Sequence, residues 1–260
     1  ITHISIDQLE NASLSQNRFS KLIDFLSELV DNKFVIVDAE RPSQLKIFHQ
    51  ALKKIGKNKK FLFRSAASFI NTLAALPPNT KSTSQLASLR VKDKDLRYKS
   101  GLIIVGSHVK LADEQLDILD RESRCELIEL PVRKIVRVIK KPESELAFLK
   151  LQNQFVNSIR SILIKDKTPV FYTTRGEVEC ESVEQRMDLG LKIAEIMSQV
   201  VGQIAPELGY IISKGGITTQ ILLQKGFCLK DVFLEGQILP GLSIVSAYNK
   251  KSNIKLPIIT

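Results

Sequence analysis

Apolar positions in the first third of the chain alternate between continuous runs and runs at helical spacing. A continuous run from Lys33 to Asp38 predicts a buried strand, and shorter runs predict strands at Thr2 to Ile6 and Lys60 to Phe63. Three helices are predicted over 19–29, 42–55 and 65–76. Strands without strict alternation, separated by helices of about ten residues or more, favour a parallel sheet covered on both faces.

The alternation of predicted strands and helices continues through the rest of the chain. Strands are predicted over 101–106, 125–130, 169–173 and 209–212, followed by a β-rich tail over 232–245. Helices are predicted over 112–121, 146–162, 182–205 and 217–224, the third beginning at the capping box Ser182-Val183-Glu184-Gln185 and ended by Pro206. We therefore predict an α/β protein with two α/β domains and largely parallel sheets.

One polar segment divides these two regions. Residues 77–99 begin with Pro77-Pro78 and pass into a charged run without a strong period, which is typical of a linker. The predicted organisation is the latter part of one α/β domain over 1–76, a linker over 77–99 and a second α/β domain over 100–260.

Composition narrows the class of protein. Of the 260 residues, 43% are hydrophobic and 25% charged, the balance of a globular protein. No apolar run approaches the roughly 18 residues that a membrane span needs, so no membrane partner is expected. Cys125, Cys180 and Cys228 are widely spaced and form neither a metal pattern nor a disulfide framework, which favours a cytoplasmic location. His3, His49 and His108 do not cluster at ligand spacing, so no metal site is predicted; only His108 adjoins a candidate site residue.

The net charge of +10 raises the alternative of a nucleic-acid-binding protein. The positive residues are spread along the chain with modest clusters at 53–60 and 133–141, and there is no Trp and only four Tyr to stack on bases. Solvated surface lysines explain the charge more simply, and we expect no nucleic-acid partner. A milder consequence of the charge is attraction of polyanionic small molecules.

A pair of glycines is the strongest candidate for a binding site. The apolar run Tyr210-Ile211-Ile212 predicts a strand, Gly215-Gly216 a sharp turn, and the residues from Ile217 a helix. Such a junction presents free backbone N–H groups, and the hydroxyls of Thr218 and Thr219 can add donors for an anion. A strand–glycine–helix turn is nevertheless more often plain topology than a site.

Other polar residues follow predicted strands. Ser107 and Arg175 come directly after two of them, and Lys214 adjoins the glycine turn. Arg64 follows a strand of the first domain, where it would face a cleft between the domains. These three basic residues are candidate phosphate or substrate contacts, since a guanidinium can give two parallel hydrogen bonds to an oxyanion. A helix N-cap for Ser107 and solvated surface positions for the basic residues are the alternatives.

Five segments occur in an order that carries a resemblance. They are Phe63 to Phe69, Gly101 to Ser107, Pro169 to Arg175, Tyr210 to Thr219 and Gly236-Gln237-Ile238-Leu239-Pro240-Gly241. Together they resemble the nucleotide-binding half of the four-carbon acid sugar kinase family. The resemblance implies an ATP-dependent kinase that phosphorylates a hydroxyl of a tetronate, of the threonate, erythronate or 3-oxo-tetronate type.

The resemblance also implies a set of site residues. It matches Ser107 to a nucleotide-contacting serine, and Gly215, Gly216, Ile217 and Thr218 to the nucleotide-binding turn. ATP and Mg²⁺ are the implied cofactors, a sugar acid is the implied partner, and the active site lies in the cleft between the domains. No Walker A sequence, Gly-x4-Gly-Lys-Ser/Thr, occurs in the chain, so phosphate would be held by a different arrangement.

The chain departs from the family pattern at both ends and at two positions near the glycine turn. It begins at Ile1 without the family's Asp-Asp-x-Thr-Gly motif and ends at Thr260 before the Gly-Asn-rich loop. It also carries Ile217 where many members have an acid and Lys214 where many have another residue. We therefore expect a fragment that lacks the catalytic base and is inactive by itself. A non-catalytic nucleotide-binding or regulatory module is the alternative. The sequence decides neither the sugar and its stereochemistry nor the choice between a monomer and a homo-oligomer.

Overall fold

The computed structural model describes residues 2–56, 59–75, 79–139, 144–176, 179–239, 241–249 and 254–260. These residues form two compact units, 1–79 and 80–260. Ile1, Leu76, Pro77-Pro78, Lys140-Lys141 and Pro240, which appear in the sequence predictions, lie outside the described residues.

The first unit is a small α/β unit. Its two strands, β1 (Thr2–Ile4) and β2 (Val35–Val37), pair in parallel. Its helices are α1 (Ile6–Leu14), α2 (Gln16–Ser27), α3 (Pro42–Ile55) and α4 (Ala67–Ala74). The helices bury one apolar face each around Ile4 of β1, in a core that includes Leu9, Leu26, Phe48 and Ala51.

For this unit one prediction is wrong and one helix has no counterpart in the predictions. Lys60 to Phe63 is not a strand, and it pairs with no strand among the described residues. Its aromatic rings pack locally, Phe61 on Phe63 with ring centroids 6.1 Å apart and Phe63 against Phe69 at 5.2 Å. Helix α1 was not predicted. It begins at a capping box in which the Ser5 side chain accepts from the Gln8 backbone N–H and the Gln8 side chain accepts from the Ser5 N–H.

The second unit is built on one seven-stranded sheet. Its strands are β3 (Leu102–Val105), β4 (Cys125–Leu130), β5 (Thr168–Thr173), β6 (Ile211–Lys214), β7 (Phe233–Leu239), β8 (Leu242–Asn249) and β9 (Ile254–Ile259). Their spatial order is β4-β5-β3-β6-β9-β8-β7. Strands β4, β5, β3, β6 and β9 run parallel, and β8 and β7 continue the sheet antiparallel. The prediction of an α/β fold with a largely parallel sheet is confirmed.

Helices cover this sheet on both faces. They are α5 (Thr83–Leu89), α6 (Lys110–Arg121), α7 (Val132–Ile139), α8 (Ser144–Leu163), α9 (Val183–Ile204) and α10 (Gly216–Ile221), which continues into a π-helical turn over Leu222–Gly226. Alternate residues of β3 enter different cores. Leu102 and Ile104 lie in the cluster that contains Met197 of α9, whereas Ile103 and Val105 pack in the cluster that contains Leu116 of α6. Burial of both faces explains why the strand is continuously apolar.

Residues 80–99 differ from the linker that the sequence predicts. They include α5 and belong to the second unit. The Lys81 N–H donates to the Gln237 carbonyl at 2.8 Å, and the Val91 N–H donates to the Gly209 carbonyl at 3.0 Å. The Arg90 guanidinium lies over the Tyr210 ring at 5.3 Å. Backbone hydrogen bonds and a cation–π contact hold this segment, and neither leaves a hydrophobic period in the sequence. Among the described residues, no helix has both the length and the hydropathy that crossing a membrane requires.

Candidate nucleotide-binding edge

The carboxyl ends of β3, β5 and β6 meet at one edge of the large sheet. Val105 of β3 pairs with Tyr172 of β5 on one side and with Lys214 of β6 on the other. The Gly106 N–H then donates to the Lys214 carbonyl at 3.1 Å, which keeps the two chains together beyond the strands. Open α/β sheets bind ligands at such an edge.

The structure brings most of the predicted site residues to this edge. Ser107, Arg175 and Lys214 follow or end the three strands, and Gly215, Gly216, Ile217 and Thr218 form the turn after β6. Arg64 belongs to the first unit, where it is exposed ahead of α4. Its role, like the placement of an active site between the domains, stays a prediction.

The two glycines of the turn have different structural roles. Gly215 has φ +117°, a conformation that L side chains rarely adopt, and a Cβ there would lie 3.4 Å from both the Ser107 nitrogen and Thr218 Oγ1. Gly216 is the first residue of α10, and its φ is not positive. A Cβ at Gly216 would meet nothing within 4 Å. The backbone of the turn therefore requires glycine at 215, while glycine at 216 leaves open space beside it.

The hydroxyls of the turn are turned inward. Thr218 is 5% exposed, and its Oγ1 lies so close to Gly106 that a Cβ on that glycine would be 2.1 Å away. Thr219 Oγ1 is 2.8 Å from Ser213 Oγ and 3.0 Å from the Gly215 carbonyl. Ile217, by contrast, is 62% exposed. The Thr219 hydroxyl, which the sequence predicts as a donor to an anion, is thus bonded to Ser213 and Gly215. The half-buried Lys214 carries the positive charge beside the glycine turn.

Arg175 links the ends of β5 and β3. Its Nη1 donates to the Ser107 carbonyl at 2.6 Å, and its Nε lies 2.7 Å from Asp113 Oδ1 of α6. The contact between Arg175 and Asp113 is an ion pair without hydrogen-bond geometry, because Arg175 Nε and Asp113 Oδ1 have no hydrogen-bond partner among the described residues. Arg175 Nη2 has no such partner either. The guanidinium is therefore fixed in place with donor capacity left over.

His108 lies beside Arg175. Its Nε2 is 3.0 Å from Thr173 Oγ1. Burial lowers the pKa of His108, the Arg175 charge lowers it further, and Asp113 partly opposes both. The imidazole is consequently held neutral at neutral pH, as a hydrogen-bonding group of this edge.

A cavity of about 460 Å³ opens next to Arg175, between the end of β5 and helices α7 and α9. The sequence predictions include Arg175 and His108 from its wall but not Arg133, Arg186 or Gly190. A pattern was available for α9, because Arg186, Gly190 and the apolar Ile193 follow at helical spacing and share one face. Nothing in the sequence indicated that α7 would supply the facing arginine.

The described residues do not form a metal-binding site made of protein side chains alone. No group of three or more His, Cys, Asp or Glu among them could hold a metal ion. The carboxylates near the edge are engaged, Asp113 with Arg175 and Glu129 Oε1 with the Thr174 hydroxyl at 2.6 Å. This donor set fits a Mg²⁺ that arrives on nucleotide phosphates and keeps several waters, rather than one bound by protein carboxylates alone.

Comparisons with known proteins place the chain in a family. Residues 102–260 match the profile of the nucleotide-binding C-terminal domain family. Comparison with curated proteins gives no match.

Two solved structures are similar over nearly the whole chain. A domain of unknown function (DUF1537) from Bordetella bronchiseptica, with bound citrate as a domain-swapped dimer, is 11% identical with a TM-score of 0.48 and covers 100% of this chain and 54% of its own. A protein from Salmonella typhimurium LT2, provisionally named a tRNA synthase, is 12% identical with a TM-score of 0.48 and covers 99% and 55%. The chain thus spans about half the length of both.

The family match covers the strands β3, β5 and β6, the glycine turn and the cavity beside Arg175. It confirms the resemblance to the nucleotide-binding half of the four-carbon acid sugar kinases. The chain belongs to the nucleotide-binding C-terminal domain family, and residues 102–260 are its nucleotide-binding domain.

Proposed function

We propose that the protein is an ATP-dependent kinase that phosphorylates a hydroxyl of a four-carbon acid sugar. The observation that carries the proposal is the nucleotide-binding domain match over 102–260, whose segments meet at the edge formed by β3, β5 and β6. The sugar-acid substrate is carried over from the family resemblance, and the residues themselves favour phosphate binding only.

In this proposal the residues at the edge position the phosphates and neutralise part of their charge. Transfer of a phosphoryl group depends mainly on positioning and on neutralising charge, and Mg²⁺ carried by the nucleotide would supply part of that neutralisation. In this proposal the open space at Gly216 lets phosphate oxygens approach the backbone, and Lys214 neutralises charge beside it. Arg175, fixed by Ser107 and Asp113, orients the end of β3 where Ser107 contacts the nucleotide.

The glycine turn gives a direct test of nucleotide binding. Titration calorimetry of the parent chain with ATP and Mg²⁺ is compared with Gly216→Val, whose side chain enters the space left for phosphate. We expect an affinity loss of about 100-fold or more, from displaced backbone contacts to a charged group. Because Gly216 is not in the left-handed region, the thermal unfolding midpoint of the variant should stay near the parent's. Parent-like affinity in Gly216→Val would place the phosphate site elsewhere.

Turnover is a separate question with its own assay. ADP release by the full-length protein is measured with threonate, erythronate and 3-oxo-tetronate as acceptors, and without acceptor as a control. Acceptor-dependent ADP release supports the kinase. Nucleotide binding without such release for all three acids would remove the kinase assignment and leave the nucleotide site intact.

A non-catalytic nucleotide-binding module remains the second candidate. The observation that favours it is Ile217, an apolar side chain 62% exposed on the turn at a position where many family members have an acid. Ile217→Asp separates the two candidates in the ADP-release assay. Turnover that appears only in this variant would favour the module, and turnover already present in the parent would favour the kinase.

A further inference from the structure

The cavity beside Arg175 has a strongly cationic wall. Arg133 of α7, Arg175 after β5 and Arg186 of α9 line it from three separate elements. No carboxylate is among the described lining residues, and Asp113, which pairs with Arg175, is not one of them. Arginine residues from independent elements favour an anion at this wall.

Arg175 also has an unused donor. Its Nη1 and Nε are directed at Ser107 and Asp113, while the buried Nη2 has no hydrogen-bond partner among the described residues. A buried donor without a partner costs free energy, which an oxyanion in the cavity would recover. The neutral His108 and the Thr174 hydroxyl add uncharged hydrogen-bonding groups to the same wall.

The remainder of the wall is apolar and is left open by glycine. Val132, Leu189 and Ile193 line one side, and the cavity volume of about 460 Å³ is in the range of small-molecule sites. A Cβ on Gly190 of α9, or on Gly176 after β5, would meet nothing within 4 Å. Glycine inside a helix is less stable than alanine, so an open glycine at this place is unfavourable for the helix alone.

We propose that this cavity binds a small organic anion, a carboxylate or a phosphate ester with an apolar or neutral body, at a site separate from the glycine turn. None of Ser107, Lys214 or residues 215–218 lines the cavity. Arg175, tied to Ser107 and Asp113, stands at the boundary between the cavity and the ends of β3 and β6. Adjacent strands lie about 5 Å apart, so the ends of β5 and β6, separated by β3, are about 10 Å from each other.

Two probes distinguish the anion chemistries. The parent chain is titrated by calorimetry with 2-phosphoglycolate, a phosphate ester, and with malonate, a dicarboxylate. We expect one-to-one binding of at least one of them. Gly190→Leu should weaken it by about tenfold or more because its side chain fills the cavity, and Arg133→Gln by about tenfold through loss of a charge-assisted contact.

Matched controls separate the cavity from general effects on charge and fold. Gly190→Ala adds only the Cβ that has open space and should retain binding. Arg137→Gln removes the same charge one turn along α7, at an exposed position outside the cavity wall, and should change affinity by less than about twofold. Thermal unfolding by circular dichroism checks that each variant is folded.

Three results with the two probes would overturn the proposal. They are the absence of binding by both probes, equal affinity in Gly190→Leu and Gly190→Ala, and loss of probe binding in Gly216→Val. Competition by ADP would likewise refute a separate site, because the cavity would then hold a nucleotide phosphate. A parent chain that binds a probe but not ADP would contradict the proposed function and leave this inference standing.

Discussion

The contact between Gly106 and Thr218 leads to a quantitative prediction about the packing of the candidate site. Gly106 follows β3, and its N–H donates to the Lys214 carbonyl. A Cβ at this position would lie 2.1 Å from Thr218 Oγ1, 3.2 Å from Thr218 Cβ and 3.3 Å from Thr218 Cγ2. Gly106→Ala therefore places a methyl group where the Thr218 side chain already is.

The free-energy cost follows from how little Thr218 can move. The side chain is 5% exposed and β-branched, so rotation about χ1 exchanges Oγ1 for Cγ2 or hydrogen within the same crowded space. Overpacking a filled interior typically costs about 1–3 kcal/mol, and we expect Gly106→Ala to lower the free energy of unfolding by that amount. Thr218→Ala removes both Oγ1 and Cγ2 and leaves only the 3.2 Å contact with Cβ, which needs a shift of a few tenths of an ångström.

A double-mutant cycle measures how much Thr218→Ala reduces the destabilisation caused by Gly106→Ala. Urea unfolding is followed by circular dichroism for the parent, Gly106→Ala, Thr218→Ala and the double variant, with the transition of the second unit fitted separately. We expect a coupling free energy of about 1–2 kcal/mol, since the two residues are in direct contact. Gly190→Ala serves as a control, because its methyl group has open space. Additive effects in the double variant would show that Gly106 and Thr218 do not meet as described.

The remaining predictions concern the turn, the cavity wall and the core. Gly215→Ala should lower the free energy of unfolding by about 1–3 kcal/mol because of the φ of +117°, whereas Gly216→Ala should leave it near the parent's; urea unfolding compares them. The pKa of His108 lies below its ordinary value of 6.5, so its contribution to stability is present above that pH and is lost as the pH falls through the lower folded-state pKa. The melting temperature of the parent should fall more steeply from pH 7.5 to 5 than that of His108→Gln, and parallel curves would contradict the assignment. Phe171→Ala should cost about 3–5 kcal/mol in urea unfolding, since the ring is fully buried 5.2 Å from that of Phe155.

The strands that the sequence predicts best are those buried on both faces. β3 lies within the predicted 101–106 and β5 contains the predicted 169–173, because a continuous apolar run needs no knowledge of its neighbours. Lys60 to Phe63 is also rich in apolar residues but pairs with no strand in the described part of the chain, and β-propensity describes a fit to neighbouring strands rather than the backbone alone. Strand β9 lies beyond the β-rich tail predicted over 232–245. It contains Pro257, which pairs with Ser246 although proline is unfavourable inside a strand.

The candidate site was predictable only in part. Strand ends in a parallel sheet meet at one edge, so the convergence of Ser107, Arg175 and the glycine turn followed from the strand assignments. Which glycine adopts a positive φ, and that the Thr219 hydroxyl is taken by Ser213, depend on the packing of α10 against β3. The cavity depends on α7, a helix the sequence did not predict, approaching α9.

The place of β9 in the sheet has a consequence for how the chain is made. Ile254–Ile259 is synthesised after β6, β7 and β8, yet it lies between β6 and β8 in the interior of the sheet. While the ribosome is still translating the preceding residues, β6 has an unpaired edge and the β7–β8 hairpin has no strand linking it to the rest of the sheet. Open strand edges favour pairing with other chains. The nascent protein thus depends on β9 to close the edge of β6, and a stop codon shortly before Ile254 would release a chain prone to aggregation.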